Sequence, residues 1–312
     1  GDVLLGSLGN LKRAQSVSGG TPTGADGGFT VETTLSDDLI EFLRPESLTM
    51  SLGARVYTGL EGFVDFNRQI TGADPTWQLE GNDFQTSGMT YDIISLAPKS
   101  VGLIIETTRR LVEQSNLSIE AEIRREIAQA MAQKVDYALL HGTGIDPEPL
   151  GIFNRPIGLE LGTDGAALTY ADLVNLKKET KRGLQGQNRQ FKWLTNVSVE
   201  SKLQLTLKSA ADTASNYILG ENPTSLMGYP FYCTEQVEDT LTKGAGTDLS
   251  AILFGDFREM MVGIWGALEI LPNALGTTYA SGGLQFRGIQ TMDTNIRRDE
   301  AFRCYTDVVT TL

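Results

Sequence analysis

The stretch from Thr107 to Phe153, TTRRLVEQSNLSIEAEIRREIAQAMAQKVDYALLHGTGIDPEPLGIF, decides the fold. It predicts a strand end, one long capped helix, a Gly-Thr-Gly turn and a closure at Pro149-Leu150-Gly151-Ile152. Ser118 offers the side-chain oxygen of an N-cap, Glu120 and Glu122 fall where the helix dipole favours negative charge, and Gly142 follows the last periodic residue. One unbroken helix of about 23 residues, roughly 35 Å long at 1.5 Å per residue, is expected. Apolar residues recur every fourth position, at Ile119, Ile123, Ile127, Met131, Val135 and Leu139, so the stripe drifts by about 40° per step. Such a helix needs partners on more than one face.

The 312 residues, 40% of them hydrophobic, can bury one large core or two moderate ones. No apolar run reaches the 18 residues of a membrane-spanning helix, and the N-terminus lacks the basic and apolar blocks of a signal peptide. Cys233 and Cys304 are too few for a disulfide framework and are expected to be reduced structural thiols. A net charge of −13, from 39 acidic and 26 basic residues, argues against sequence-specific nucleic-acid binding.

Around the long helix the periodicity changes. Residues 1–26 are rich in Gly, Ser and Thr and predict an arm, and Leu35, Leu39, Ile40 and Leu43 predict a short amphipathic helix ending before Pro45. Between Tyr57 and Ser95, FVDFNRQI and MTYDIISL alternate with period two around a polar tip, predicting an antiparallel hairpin. Arms of roughly 15 residues would reach about 50 Å. An isolated hairpin is marginal in water, so a neighbouring subunit is its expected support. Farther on come helices at Tyr170–Arg182 and Ser198–Lys208, strands at Phe191–Thr195, Tyr229–Thr234 and Ala251–Phe254, and a cap at Asn196 or Ser198. LQFRGIQT and AFRCYTDV are expected to pair with each other beneath the long helix.

Catalytic patterns are thin. His141 is the only histidine, no G-x-S-x-G elbow accompanies it, and a C-terminal-turn side chain favoured by the dipole is its plainer role. Metal spacings are missing, and Gly142-Thr143-Gly144 and Gly244-Ala245-Gly246 lack the lysine of a phosphate loop. No cofactor, metal or enzyme activity is expected. Asn116-Leu117-Ser118 and Asn196-Val197-Ser198 match the glycosylation pattern but fall where helix caps are expected.

Several segments, in order, resemble the tailed-phage major capsid proteins of the Hong Kong 97-type fold, which encapsulins share. The long helix resembles that family's spine helix, Gly27-Gly28-Phe29-Thr30-Val31-Glu32 its arm, and Trp77-Gln78-Leu79-Glu80 its loop motif. Leu226-Met227-Gly228-Tyr229-Pro230, Phe254-Gly255-Asp256-Phe257 and Ala301-Phe302 match later motifs, so the resemblance runs from about Gly27 to Tyr305. It implies an α+β fold: an arm with a short helix (1–50), an extended β-hairpin loop and its base (51–96), a peripheral domain (97–160 and 275–312) and an axial domain (161–274).

The resemblance further implies a self-assembling icosahedral shell of pentamers and hexamers in a virion built in the host cytoplasm. Packaged double-stranded DNA is held non-specifically, which an acidic wall suits. A portal and a maturation protease act transiently, a decoration protein is a further partner, and no membrane is involved. The start at Gly1 fits proteolytic maturation better than trimming.

Inter-subunit contacts are expected from Phe66, Arg68, Trp77 and Glu80 on the loop, Arg109 and Arg110 before the helix, and Arg297, Arg298, Asp299 and Glu300. These last four lie in MDTNIRRDEA, a loop that the family places near local three-fold axes. One branch of the family joins a loop lysine to a neighbour's asparagine. Here no lysine lies between Tyr57 and Ser95, so a shell without covalent links is expected. An encapsulin-like nanocompartment and, from another class, a cytosolic hydrolase are the alternatives; the long arm disfavours the first and the lack of a nucleophile-base pair the second.

Overall fold

The structure is a computed structural model that describes residues 48–310 apart from 115–118, 188, 210–215, 221, 222 and 277. The expected arm, the helix before Pro45 and the Ser118 cap lie outside the described residues, as does Asn116. In chain order the elements are β1 (Arg55–Thr58), β2 (Val64–Thr71), β3 (Thr90–Leu96), β4 (Lys99–Thr108), α1 (Arg109–Gln114), α2 (Ile119–His141), β5 (Gly158–Leu159), α3 (Tyr170–Gly183) and β6 (Lys192–Thr195). There follow α4 (Val197–Leu205), β7 (Ser225–Leu226), β8 (Tyr229–Cys233), β9 (Leu241–Lys243), β10 (Gly246–Gly255), β11 (Met260–Ile264), β12 (Glu269–Asn273), β13 (Gly283–Ile296) and β14 (Phe302–Val309).

Helix α2 has the 23 residues that its spacing predicts. Its end is fastened by the Pro149-Leu150-Gly151-Ile152 return, where the N–H groups of Ile152 and Phe153 donate to the Leu139 and Leu140 carbonyls at 3.0 and 2.9 Å. Those are carbonyls that a helix terminus leaves without intrahelical partners. A Cβ on Gly151 would lie 2.5 Å from the Leu140 oxygen, so only glycine permits the approach. The drifting stripe finds two partners. Ile127 and Met131 pack on Phe286 with Val101, Leu103 and Ile105, whereas Val135, Leu139 and Leu140 enter the main core. Gly288 lets the helix settle on the sheet, since a Cβ there would stand 2.5 Å from Ile127 Cγ2. Buried Asp136 accepts from the Leu48 and Thr49 N–H groups at 3.2 and 2.9 Å, tying the chain before β1 to the helix.

The five-stranded sheet is built on β13. It pairs antiparallel with β4 over Gly283–Met292 and with β12 and β11 in succession, and β1 adds parallel to β11. The seven-stranded sheet runs β5-β14-β10-β6-β8-β7, with β9 also on β10. This corrects the expected pairing of the last two strands. β13 lies beneath α2, but β14 crosses to the other sheet and pairs with β10 and β5. The burial of β14 gives the reason: Phe302, Cys304, Tyr305, Asp307 and Val308 are all buried, and a strand covered on both faces belongs inside a sheet. β11 and β12, expected with the axial segment, join β13 instead.

Phe191, Trp193, Tyr229 and Phe254 stack at centroid distances of 4.3–5.9 Å in the main core, and the Trp193 indole N–H donates to the Leu226 carbonyl. Thr169 and Asp172 form a capping box on α3, and the buried Asn196 side chain caps α4 by accepting from Val199 N–H, so its glycosylation pattern serves packing. Cys233 on β8 and Cys304 on β14 are free thiols with two strands between them. Burial pushes both upward, Cys304 to about 12, which keeps them as unreactive thiols.

The hairpin β2–β3 forms a two-stranded sheet of its own, as the alternation predicts. Its strands are shorter than expected, eight and seven residues, and residues 72–89 form no strand. Thr71 and Thr90 close the ladder through a 2.7 Å hydroxyl contact. Beyond them come Gly72, Pro75, Gly81 and Gly88, which cannot sustain a ladder.

Candidate assembly surfaces

The hairpin is firmly held at its base and open at its tip. Arg68 pairs with Asp92 at 2.7 Å and donates to the Arg297 carbonyl at 3.1 Å. The guanidinium's hydrogen bond holds the Asp92 carboxyl below the usual carboxylate range. Phe66 packs on Tyr57 at 5.0 Å, Asn295 donates to the Ser95 carbonyl, and the Ala97 N–H donates to Asp293. Past Thr71, Trp77, Leu79 and Phe84 are 103%, 79% and 85% exposed, and Glu80 points outward with them. An apolar group of this kind on a polar rim marks an interaction surface.

The ten residues expected at subunit contacts divide accordingly. Phe66 and Arg68 are engaged within their own chain, whereas Trp77 and Glu80 are outward. Arg109 and Arg110 are exposed at the head of α1. Arg298 lies 3.5 Å from Glu259, and Asp299 lies 3.3 Å from Arg155, so both have partners in this chain where neighbours were expected. Glu300 is exposed, with its backbone against Gly183. Arg297 fixes its backbone N–H to the Glu259 carbonyl at 2.8 Å, and among the described residues its guanidinium has no partner.

Sequence reasoning missed the charged junction behind this turn. Glu259 is buried, is paired with Arg189 and Arg298, and follows Asp256, whose carboxyl is raised by burial. Arg155 donates to Asn295 at 2.8 Å and carries a guanidinium that burial lowers. No local pattern in sequence foretells these pairs, because their members are 39 to 144 residues apart and become neighbours only through the sheets. The nearest signal is Asp256 and Glu259 flanking a turn that apolar runs enclose.

His141 ends the last turn of α2, as expected, but burial rather than the helix dipole governs its state. It is buried between Tyr137 and Phe153, and its Nε2 accepts from the Glu238 N–H at 3.3 Å. Burial lowers its pKa, so the neutral ring acts as an acceptor in the packing. Among the described residues no helix is long and apolar enough to cross a membrane.

The phage capsid family model matches residues 27–307. The major capsid protein of Halomonas phage phiHAP-1 is 30% identical over 286 residues, covering 90% of this chain and 44% of that protein. That of Klebsiella oxytoca phage phiKO2 is 23% identical over 267 residues, covering 82% of this chain and 60% of its own length. The chain thus spans about half the length of the curated relatives it matches. Among solved structures, the capsid of a native GTA particle has the same fold, with a TM-score of 0.76 at 18% identity over 94% of this chain and all of that one. These matches support the α+β Hong Kong 97-type architecture and lend nothing to the nanocompartment or hydrolase readings. With the family model spanning both sheets, the spine-like helix and the hairpin, the chain belongs to the phage capsid family.

Proposed function

We propose that the chain is the wall subunit of an icosahedral phage head, a structural rather than catalytic role, with the hairpin tip as its principal contact to neighbouring copies. One observation carries this reading beyond family membership: among the described residues, Trp77, Leu79 and Phe84 lie outside both core clusters. Covering such side chains is worth about 1.5–3 kcal/mol each, and closed symmetry repeats that gain at every contact. The segments around α2 and around the seven-stranded sheet serve as peripheral and axial parts. Exposed Arg109, Arg110 and Glu300, together with Arg297, add polar contacts. The content is double-stranded DNA, enclosed non-specifically by an acidic wall, and a portal, a protease and a decoration protein are partners of the family reading. Assembly takes place in the host cytoplasm.

Replacing residues 72–88 by a short Gly-Ser linker is expected to leave a folded subunit with an unchanged circular dichroism spectrum and no shells by size exclusion and electron microscopy. Normal particles from that variant would overturn the role given to the tip. The shell is also proposed to lack covalent links, because Arg68 is the only cation between Tyr57 and Ser95 and its guanidinium is a poor nucleophile. Boiled particles should therefore run as one band near 33.9 kDa on a denaturing gel. Ladders that survive reductant would show a linking chemistry.

A further inference from the structure

The last turns of α2, the start of β4 and the loop of residues 143–149 enclose a cavity of about 510 Å³. Val101, Val135, Ala138 and Met292 line it, Pro147 and Pro149 join them from the loop, and Ile145, 75% exposed, stands at its mouth. That volume lies within the roughly 300–1,000 Å³ range of pockets that take up small molecules. The loop is held in place by its own chain. The Gly144 N–H donates to the Pro149 carbonyl at 3.1 Å, the Thr143 hydroxyl donates to the Glu148 carboxylate at 2.9 Å, and Lys134 Nζ stands 3.5 Å from that carboxylate.

The polar side chains of the lining are all engaged within the chain. Lys99 Nζ donates to the Glu148 carbonyl at 3.0 Å and faces Asp293 at 3.8 Å, Lys134 and Thr143 share the Glu148 carboxylate, and the Ser100 and Thr291 hydroxyls lie 2.9 Å apart. The Thr143 hydroxyl, with help from Lys134, keeps the Glu148 carboxyl below the usual carboxylate range. Among the described residues, none of the buried polar atoms that lack a hydrogen bond belongs to this lining. A charged or strongly hydrogen-bonding guest would therefore give up its hydration and find no free partner, and water too needs about two to four polar contacts to settle in a cavity. The lining rewards apolar surface alone. We infer that this cavity is a binding site for an uncharged, apolar small molecule, in size about that of a fused pair of aromatic rings. The site is built by one chain, so it stands apart from the wall-subunit reading above. A molecule seated there touches the helix end, the strand and the loop together and stabilises the folded chain by mass action.

The test uses the full chain before assembly and prodan, an uncharged naphthalene dye whose emission moves to the blue in apolar surroundings. Saturable binding of one dye per chain is the expected result, with displacement by naphthalene but not by naphthoate and a melting temperature that rises with dye concentration. Ile145→Glu changes an exposed side chain and sets a carboxylate at the mouth, so it should weaken the dye at least about tenfold. Ala138→Leu fills the cavity from α2 and should do the same; circular dichroism checks that both variants fold, and Ile145→Glu decides if the second does not. The chain carrying Trp77→Ser, Leu79→Ser and Phe84→Ser should bind as the parent does, which separates the cavity from the exposed apolar tip. Absence of saturable binding, binding that survives Ile145→Glu, or loss of binding in the triple serine variant overturns the site. Displacement by naphthoate as readily as by naphthalene overturns the ligand class.

Discussion

In the seven-stranded sheet and its helices Phe191, Trp193, Phe254 and Phe302 are closed off from solvent, whereas in the hairpin Phe63, Trp77, Leu79 and Phe84 stand open to it. The residue types are alike, and the difference lies in what covers them. Strands β10 and β14 have neighbours on both edges and helices packed nearby, so their apolar side chains contribute to folding as soon as the chain closes. The hairpin has one pair of strands and, among the described residues, no layer behind its tip, so the apolar side chains there add little to the folding of the subunit. One region stores its hydrophobic free energy inside the subunit; the other, in the function proposed above, holds it for assembly. The ties at the hairpin base, Arg68 to Asp92 and to the Arg297 carbonyl, keep the open tip attached to a fixed point.

The largest expected effect separates these two uses of an aromatic ring. Phe254→Ala removes a fully buried side chain from the stack with Trp193 and Phe191 and should cost about 3–5 kcal/mol, a large part of a typical stability of about 5–15 kcal/mol. Phe84→Ala should leave the free subunit within about 0.5 kcal/mol of its parent. Urea unfolding of unassembled protein measures both. Comparable losses would mean that the tip is part of the subunit's own core, and the contrast would fail.

Much of this division was legible beforehand. The stripe from Ile119 to Leu139 and its Gly-Pro closure specified α2, because helical period and a C-terminal return are local signals. Alternation at Phe63–Ile70 and Met89–Leu96 specified the hairpin for the same reason, although its strands stop at Thr71 and Thr90, where glycine and proline interrupt the ladder. What could not be read was which strand joins which sheet. Alternation records that a strand has an inner face but not whose face it meets, so β14 was expected beside β13 and instead pairs with β10. Strands of two or three residues, such as β5 and β9, are too short to show any period. The candidate contacts suffered similarly: Arg298 and Asp299 find Glu259 and Arg155 within the chain, at separations that no local spacing reveals.

The turn at Arg297–Glu300 lies between the two regimes and gives the smallest and sharpest comparison. Arg298 is paired with buried Glu259, yet nearly half of its own side chain faces solvent and Glu259 keeps Arg189 as a second partner. Solvent screening then limits the pair, and Arg298→Ala should cost the free subunit about 0.2–1 kcal/mol. Arg297 has no side-chain partner among the described residues, and its backbone bond to the Glu259 carbonyl survives truncation. Arg297→Ala should therefore leave subunit unfolding unchanged while lowering the temperature at which assembled particles come apart, because the partner proposed for its guanidinium is a neighbouring copy. Differential scanning calorimetry on free subunits and on particles makes both readings. If Arg297→Ala leaves particles as stable as the parent, this turn belongs with the closed interior; if it lowers only the particle transition, the boundary between folding and assembly runs between two adjacent arginines.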